Sequence, residues 1–374
     1  MNVNIPFFYH QREYEKIRGE LQKAAGDVFA SGRFILGDHL KSFEQQFAQF
    51  CGAPFAVGVA SGTDALTLAL LACRLKPGDE VITVANGAYP TIVGIVRAGL
   101  RPVFVDICPE TWLMDSKQIA GACSKKTKAV IPVHLFGNIV DMKALSKSAK
   151  TKKLTVIEDA CQAHGGILDK KKAGTFGRFG CFSFYPTKNL GAFGDGGAII
   201  MHRQKDYNAL RQSRNYGQSD RYNHPVFGLN SRLDELQAAY LSVKLKYLKR
   251  WNQWRSHLAH LYREHLKKID EISMPCINPL SRQTHHLFVI RVKKRNALQA
   301  HLAKQGIMTL IHYPIPAHRQ KAFLGLGYKA GDLPHTERCC REILSLPISP
   351  FLKPSEVLYI CSVIEGYYKK NILP

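Results

Sequence analysis

The feature that most limits how this chain can fold is the alternation of short apolar runs with helix-length segments. Glu80–Val84, Pro102–Asp106, Ala129–Val133 and Leu154–Asp159 are short, rich in β-branched residues and apolar on both faces. Central strands of a parallel sheet have that character. Between them, Thr63–Ala72 and Pro90–Ala98 carry helical patterns. The alternation predicts an α/β sheet with helices on both faces. Ligands of such sheets gather beyond the carboxyl ends of the strands, where Asp106 and Asp159 both stand. From about Leu233 the pattern changes to a long helical run, Asp234–His265. A strand at Leu287–Val292 and helices near Ala297–Gln305 and Pro354–Tyr368 follow. Two domains are expected, a large one over residues 1–240 and a smaller α+β one over 241–374, and 374 residues suit that number.

Several classes of function fall away on composition. No run approaches the roughly 18 apolar residues of a membrane helix. The start, Met1 to Pro6, lacks a basic segment followed by an apolar one, so a cytoplasmic protein is expected. Ten scattered cysteines form no CxxC pair, which points to reduced thiols rather than a metal site or a disulfide framework. The net charge of +23 is unusual. No zinc-finger spacing, RNA-binding signature or recognition-helix pattern accompanies it, so no nucleic-acid partner is expected. The charge reads as a solvated basic surface, or as a field that attracts an anionic substrate.

Three local features carry chemistry. Ser61-Gly62-Thr63 follows an apolar run and opens a helix, where backbone N–H groups and the helix dipole favour a phosphate. The same triplet also serves as a plain helix cap. Glu158-Asp159 ends a buried strand, and a carboxylate there needs hydrogen bonds or a cationic partner. Lys188 lies in Ser183-Phe184-Tyr185-Pro186-Thr187-Lys188-Asn189-Leu190-Gly191, an apolar and aromatic setting that runs into Gly194-Asp195-Gly196-Gly197. A lysine crowded in this way loses preference for its charged form and can attack a carbonyl as a free amine.

That lysine segment resembles the Schiff-base loop of the DegT-type sugar aminotransferases, enzymes of the aspartate-aminotransferase fold group. The likeness runs through Ser31–Gly37 with Phe43-Glu44, Gly78–Ile82, Val133–Gly137 and His312–His318, almost the whole chain. It implies the α/β architecture of PLP fold type I and pyridoxal phosphate (PLP) as cofactor. It implies Lys188 as the Schiff-base lysine and Asp159 as partner of the pyridine nitrogen. Gly62, Thr63 and Ser183 would hold the phosphate, Gln162 would lie near the ring oxygen, and Tyr89 would stack on the ring. Tyr89 stands in Asn86-Gly87-Ala88-Tyr89, where many members carry Pro and Thr.

Asn230, in Asn-Ser-Arg-Leu-Asp-Glu-Leu-Gln, would by the same likeness reach a partner subunit's phosphate in a homodimer. Read alone, it would cap the following helix. Tyr185, His312, Tyr313 and His318 are placed at the substrate, a nucleotide-diphosphate keto-sugar, with L-glutamate as donor. The Asn-Ser-Arg-Leu string is similar to members that aminate carbon 3 of a dTDP-linked 3-keto-6-deoxyhexose. Members acting on carbon 4 more often carry Asn-x-Arg-Met. Some relatives replace the lysine by histidine and dehydrate; Lys188 speaks against that here. A silent PLP-binding regulator would not require Lys188, Asp159 and Ser183 together.

Overall fold

A computed structural model describes residues 4–371. Its main sheet has seven strands, numbered here in chain order: β1 Phe55–Val59, β2 Glu80–Val84, β3 Arg101–Val105, β4 Thr127–Val130, β5 Thr155–Asp159, β6 Phe179–Ser183 and β7 Gly197–Met201. They lie side by side as β1-β7-β6-β5-β4-β2-β3. All neighbours pair in parallel except β7, which is antiparallel to both β1 and β6. The expected strands are thus present as one mostly parallel sheet.

Successive strand residues point to opposite faces, and each face has its own core. On one face Ala56, Ile82, Val130, Phe182 and Ile200 pack against Phe43 and Phe47 of the helix Asp38–Cys51 and against Leu241 and Leu248. On the other, Val57, Val81, Ala129, Cys181 and Ile199 pack against Leu66 and Leu70 of the helix Gly62–Ala72. Burial on both faces explains why the strands read as continuous apolar runs rather than alternating ones.

The helix Glu235–Leu266 leaves this sheet and enters a second core. There Leu258, Tyr262 and Leu266 meet the antiparallel pair Phe288–Arg291 and Ile343–Leu346 and the helices Arg295–Lys304 and Pro354–Asn371. The division at 240/241 falls inside that helix, which serves both cores, and Ile5 and Tyr9 from the start of the chain also join the second one. Among the described residues no helix is long and apolar enough to cross a membrane.

Candidate active site

The carboxyl ends of β1, β2, β5 and β6 open onto one cavity of about 590 Å³. Gly62, Thr63, Tyr89, Asp159, Gln162, Ser183, Tyr185, Lys188, His312 and Tyr313, expected to act together, all line it. They come from segments far apart in sequence, brought together by the strand order.

After β1, the helix Gly62–Ala72 starts with Ser61 as its cap, the Ser61 hydroxyl accepting from Asp64 N at 3.1 Å. Glycine is required next: a Cβ at position 62 would lie 2.6 Å from Ser183 Cβ and 3.1 Å from Cys161 Sγ. The first turn therefore lies tight against the end of β6, with its N–H groups at the cavity wall. Helix capping and anion binding are compatible here, because only one of the orphan donors is used by Ser61.

Lys188 sits on a loop held on both sides. Leu190 and Ala192 are buried in the core, and Ala192 N donates to Phe184 O at 2.7 Å. The Asn189 amide donates to Asn252 Oδ1 and to Thr284 O, both at 2.8 Å. Its Oδ1 lies 3.1 Å from His286 Nδ1. The loop thus has little freedom, and the partly buried Lys188 lines the cavity. Its amine has no hydrogen bond or ion pair among the described residues. Burial lowers its pKa, although Cys161 and Asp159 pull the other way. A larger fraction of free amine results than on a solvated lysine.

Asp159, at the end of β5, is 4% exposed. Thr91 Oγ1 donates to its Oδ2 at 2.6 Å and Cys161 N to its Oδ1 at 3.1 Å. Gln162 turns its amide oxygen to Phe136 N at 2.7 Å and its Nε2 towards the Tyr313 hydroxyl at 3.4 Å. Burial, then Asp159, push the Tyr313 phenol up to about 12. His312 accepts or donates at Ser345 Oγ, 2.9 Å away, and burial with the Lys188 charge pushes it down to about 4. Tyr185 and Tyr89 are partly exposed at the cavity, and the Tyr89 ring lies 5.3 Å from that of Phe323.

Two expected residues lie elsewhere. His318 is fully buried, with Nε2 3.1 Å from Glu337 Oε1, and does not reach the cavity. The short turn Ala317–Arg319 aims it inward, where the carboxylate pairs with Nε2 while Nδ1 is buried without a hydrogen bond among the described residues. Asn230 is exposed and outside its own chain's cavity, bridged to Asn215 through the backbone. Nor does it cap the long helix, whose N-cap is Asp234. Conversely, Phe8, Cys161, His286 and Leu310 line the cavity without having been anticipated. The aromatic triplet Phe7-Phe8-Tyr9 and the doublet His285-His286 before a strand are the signals that could have drawn notice.

The sequence profile of the DegT/DnrJ/EryC1/StrS aminotransferase family matches residues 15–365. The chain belongs to that family. It is 42% identical over 369 residues to a protein of Geobacillus stearothermophilus named pleiotropic regulatory protein, covering 98% of this chain and 99% of that one. It is 43% identical to the dTDP-3-amino-3,6-dideoxy-α-D-galactopyranose transaminase of Aneurinibacillus thermoaerophilus, covering 97% and 99%. The crystal structure of DesV from S. venezuelae superposes with a TM-score of 0.94 at 40% identity, covering 97% of this chain and 98% of that one.

The protein is accordingly a PLP-dependent aminotransferase of fold type I. Its cavity fits the cofactor on its own chemistry. A helix start made close by Gly62 suits the phosphate, a carboxylate at the end of β5 suits a ring cation, and an unpaired amine suits an aldehyde carbon.

Proposed function

We propose that the chain aminates carbon 3 of a dTDP-linked 3-keto-6-deoxyhexose, with L-glutamate as amino donor, as a cytoplasmic homodimer. The product would be an amino sugar for surface polysaccharide or a related glycoconjugate. The observation that carries the reading is the unpaired Lys188 amine in the same cavity as Asp159, His312 and Tyr313. The Asn230-Ser231-Arg232-Leu233 string and the 3-amino product named for the A. thermoaerophilus relative support carbon 3.

When bound, PLP supplies an electron sink for the pair of electrons left on the donor's α-carbon. The residues do the rest. The first turn at Gly62 and Thr63, with Ser183, holds the phosphate. Asp159 holds the proton on the ring nitrogen. Lys188 Nζ takes the proton from the donor's α-carbon and later returns one to the sugar carbon, a task that its lowered pKa suits. His312 and His286, kept neutral by burial, line the wall without adding charge beside the amine. The basic surface favours approach of a diphosphate.

The purified protein, loaded with PLP and given glutamate, should convert the 3-keto substrate and leave the 4-keto isomer nearly untouched, read by chromatography of the nucleotide sugars. Turnover of the 4-keto isomer alone would remove the carbon-3 assignment. Lys188→Ala should fold, bind PLP without a covalent bond and lose turnover. A folded variant that kept more than about a few per cent would end the Schiff-base role.

A further inference from the structure

The wall behind Asp159 contains a group that none of these roles uses. The Ala88-Tyr89-Pro90-Thr91 turn opens the helix Tyr89–Arg97, with Pro90 in its first turn, where a fixed φ and a missing N–H cost nothing. That start aims Thr91 at the sheet rather than at solvent: Thr91 is 1% exposed, and its hydroxyl lies 2.6 Å from Asp159 Oδ2. Beside a carboxylate a hydroxyl donates. Cys161 N holds the other oxygen at 3.1 Å. The two donors reach Asp159 from different elements and fix the plane of its carboxylate.

We propose that Thr91 is a positioning residue for the cofactor, its buried hydroxyl holding Asp159 in the orientation that keeps a proton on the ring nitrogen. The inference rests on the reading of Asp159 as the ring's partner. A carboxylate offers about four acceptor sites, so two bound donors leave room for a ring N–H. Held in one plane by donors from two elements, the carboxylate presents a fixed acceptor position to a ring N–H. Without the Thr91 hydroxyl the carboxylate can turn away from the ring N–H, and the ring holds its positive charge less firmly. A charged ring disfavours a second proton on the bond between Lys188 and the cofactor. Losing that charge lets the bond keep its proton to higher pH.

The test uses apoprotein of wild type, Thr91→Val, Thr91→Ser, Asp159→Asn and the double variant Thr91→Val/Asp159→Asn. PLP affinity is read by quenching of intrinsic fluorescence, and the loaded proteins are titrated by their visible band. Thr91→Val should weaken PLP binding on the order of ten-fold, the size of one hydrogen bond to a charged group, and move the midpoint of the band to higher pH. Thr91→Ser, which keeps the hydroxyl, should stay near wild type on both readouts. In the Asp159→Asn background Thr91→Val should add little, because the two act through one contact.

A wild-type affinity and midpoint in Thr91→Val would overturn the inference, as would a Thr91→Ser variant impaired as badly as Thr91→Val. An undiminished effect in the double variant would reduce Thr91 to packing. Should Thr91→Val not fold, Thr91→Ala replaces it under the same expectations. If Asp159→Asn itself matched wild type in affinity and midpoint, the reading of Asp159 would fail first, and this inference with it.

Discussion

His164 is fully buried between the rings of Phe182 and Phe184, at centroid distances of 5.3 and 5.9 Å. Neither ring nitrogen makes a hydrogen bond of good geometry, although the Ser183 backbone lies near enough to favour the charged form slightly. Burial, and then the Lys188 charge, push its pKa down to about 3. Folded His164 therefore refuses a proton that the unfolded chain accepts near pH 6.5. Stability is whole above that pH, falls as the pH drops below it, and stops falling near pH 3. By pH 5 this one residue costs about 2 kcal/mol. His164→Leu, close in volume, should equal or exceed the wild-type apoprotein in stability at pH 7.5. It should also lose about 2 kcal/mol less between pH 7.5 and 5, as read by urea unfolding. Identical pH profiles would mean that His164 titrates normally. That Lys188 and Asp159 stand in a buried setting could be read from the sequence because each sits in a local pattern that implies its surroundings. His318 could not, because the three-residue turn that carries it faces Glu337 rather than the cavity.

Among the elements, the helix Asp38–Cys51 depends on a residue far along the chain. Its N-cap is Gly37, which has no side chain to offer, and the missing acceptor comes from Glu235. Glu235 Oε1 accepts from Gly37 N at 2.8 Å and Leu40 N at 3.0 Å, and Oε2 from His39 N at 2.9 Å. The carboxylate also lies at the positive end of the helix dipole. Glu235→Ala would leave three N–H groups without an acceptor in a buried corner and should cost about 3 kcal/mol. Glu235→Gln, which keeps one oxygen, should cost less. Thermal melting of the three proteins measures the order, and a loss below about 0.5 kcal/mol for alanine would show that water replaces the carboxylate. Strand and helix positions were legible because periodicity is local. The work of Glu235, and of Gln237, which accepts from Phe193 N at 2.8 Å, was not, since their partners lie 44 to 198 residues away. The same distance hides Thr91, whose hydroxyl meets a carboxylate 68 residues on.

For the whole molecule, the segment 215–230 decides whether one chain is enough. The Asn215–Asn230 bridge closes it into an arm, on which Phe227 is 89% and Tyr222 81% exposed. Large apolar side chains so exposed are poor neighbours for water and suit a covered interface. Asn230 stands at the base of the arm, outside its own cavity, so a role at a phosphate requires a second copy. In a two-fold dimer each site would then take Lys188 from one chain and Asn230 from the other. A mixed dimer separates the possibilities, with Asn230→Ala in one subunit and Lys188→Ala in the other. Under the cross-subunit arrangement one site combines the intact Lys188 with the intact Asn230, and the other site carries both lesions. The heterodimer should then show about half the wild-type turnover, although each parent homodimer is weak. If Asn230 served its own chain's site, every site in the mixed dimer would carry one lesion. Turnover no higher than the mean of the two parents would then reject the shared site.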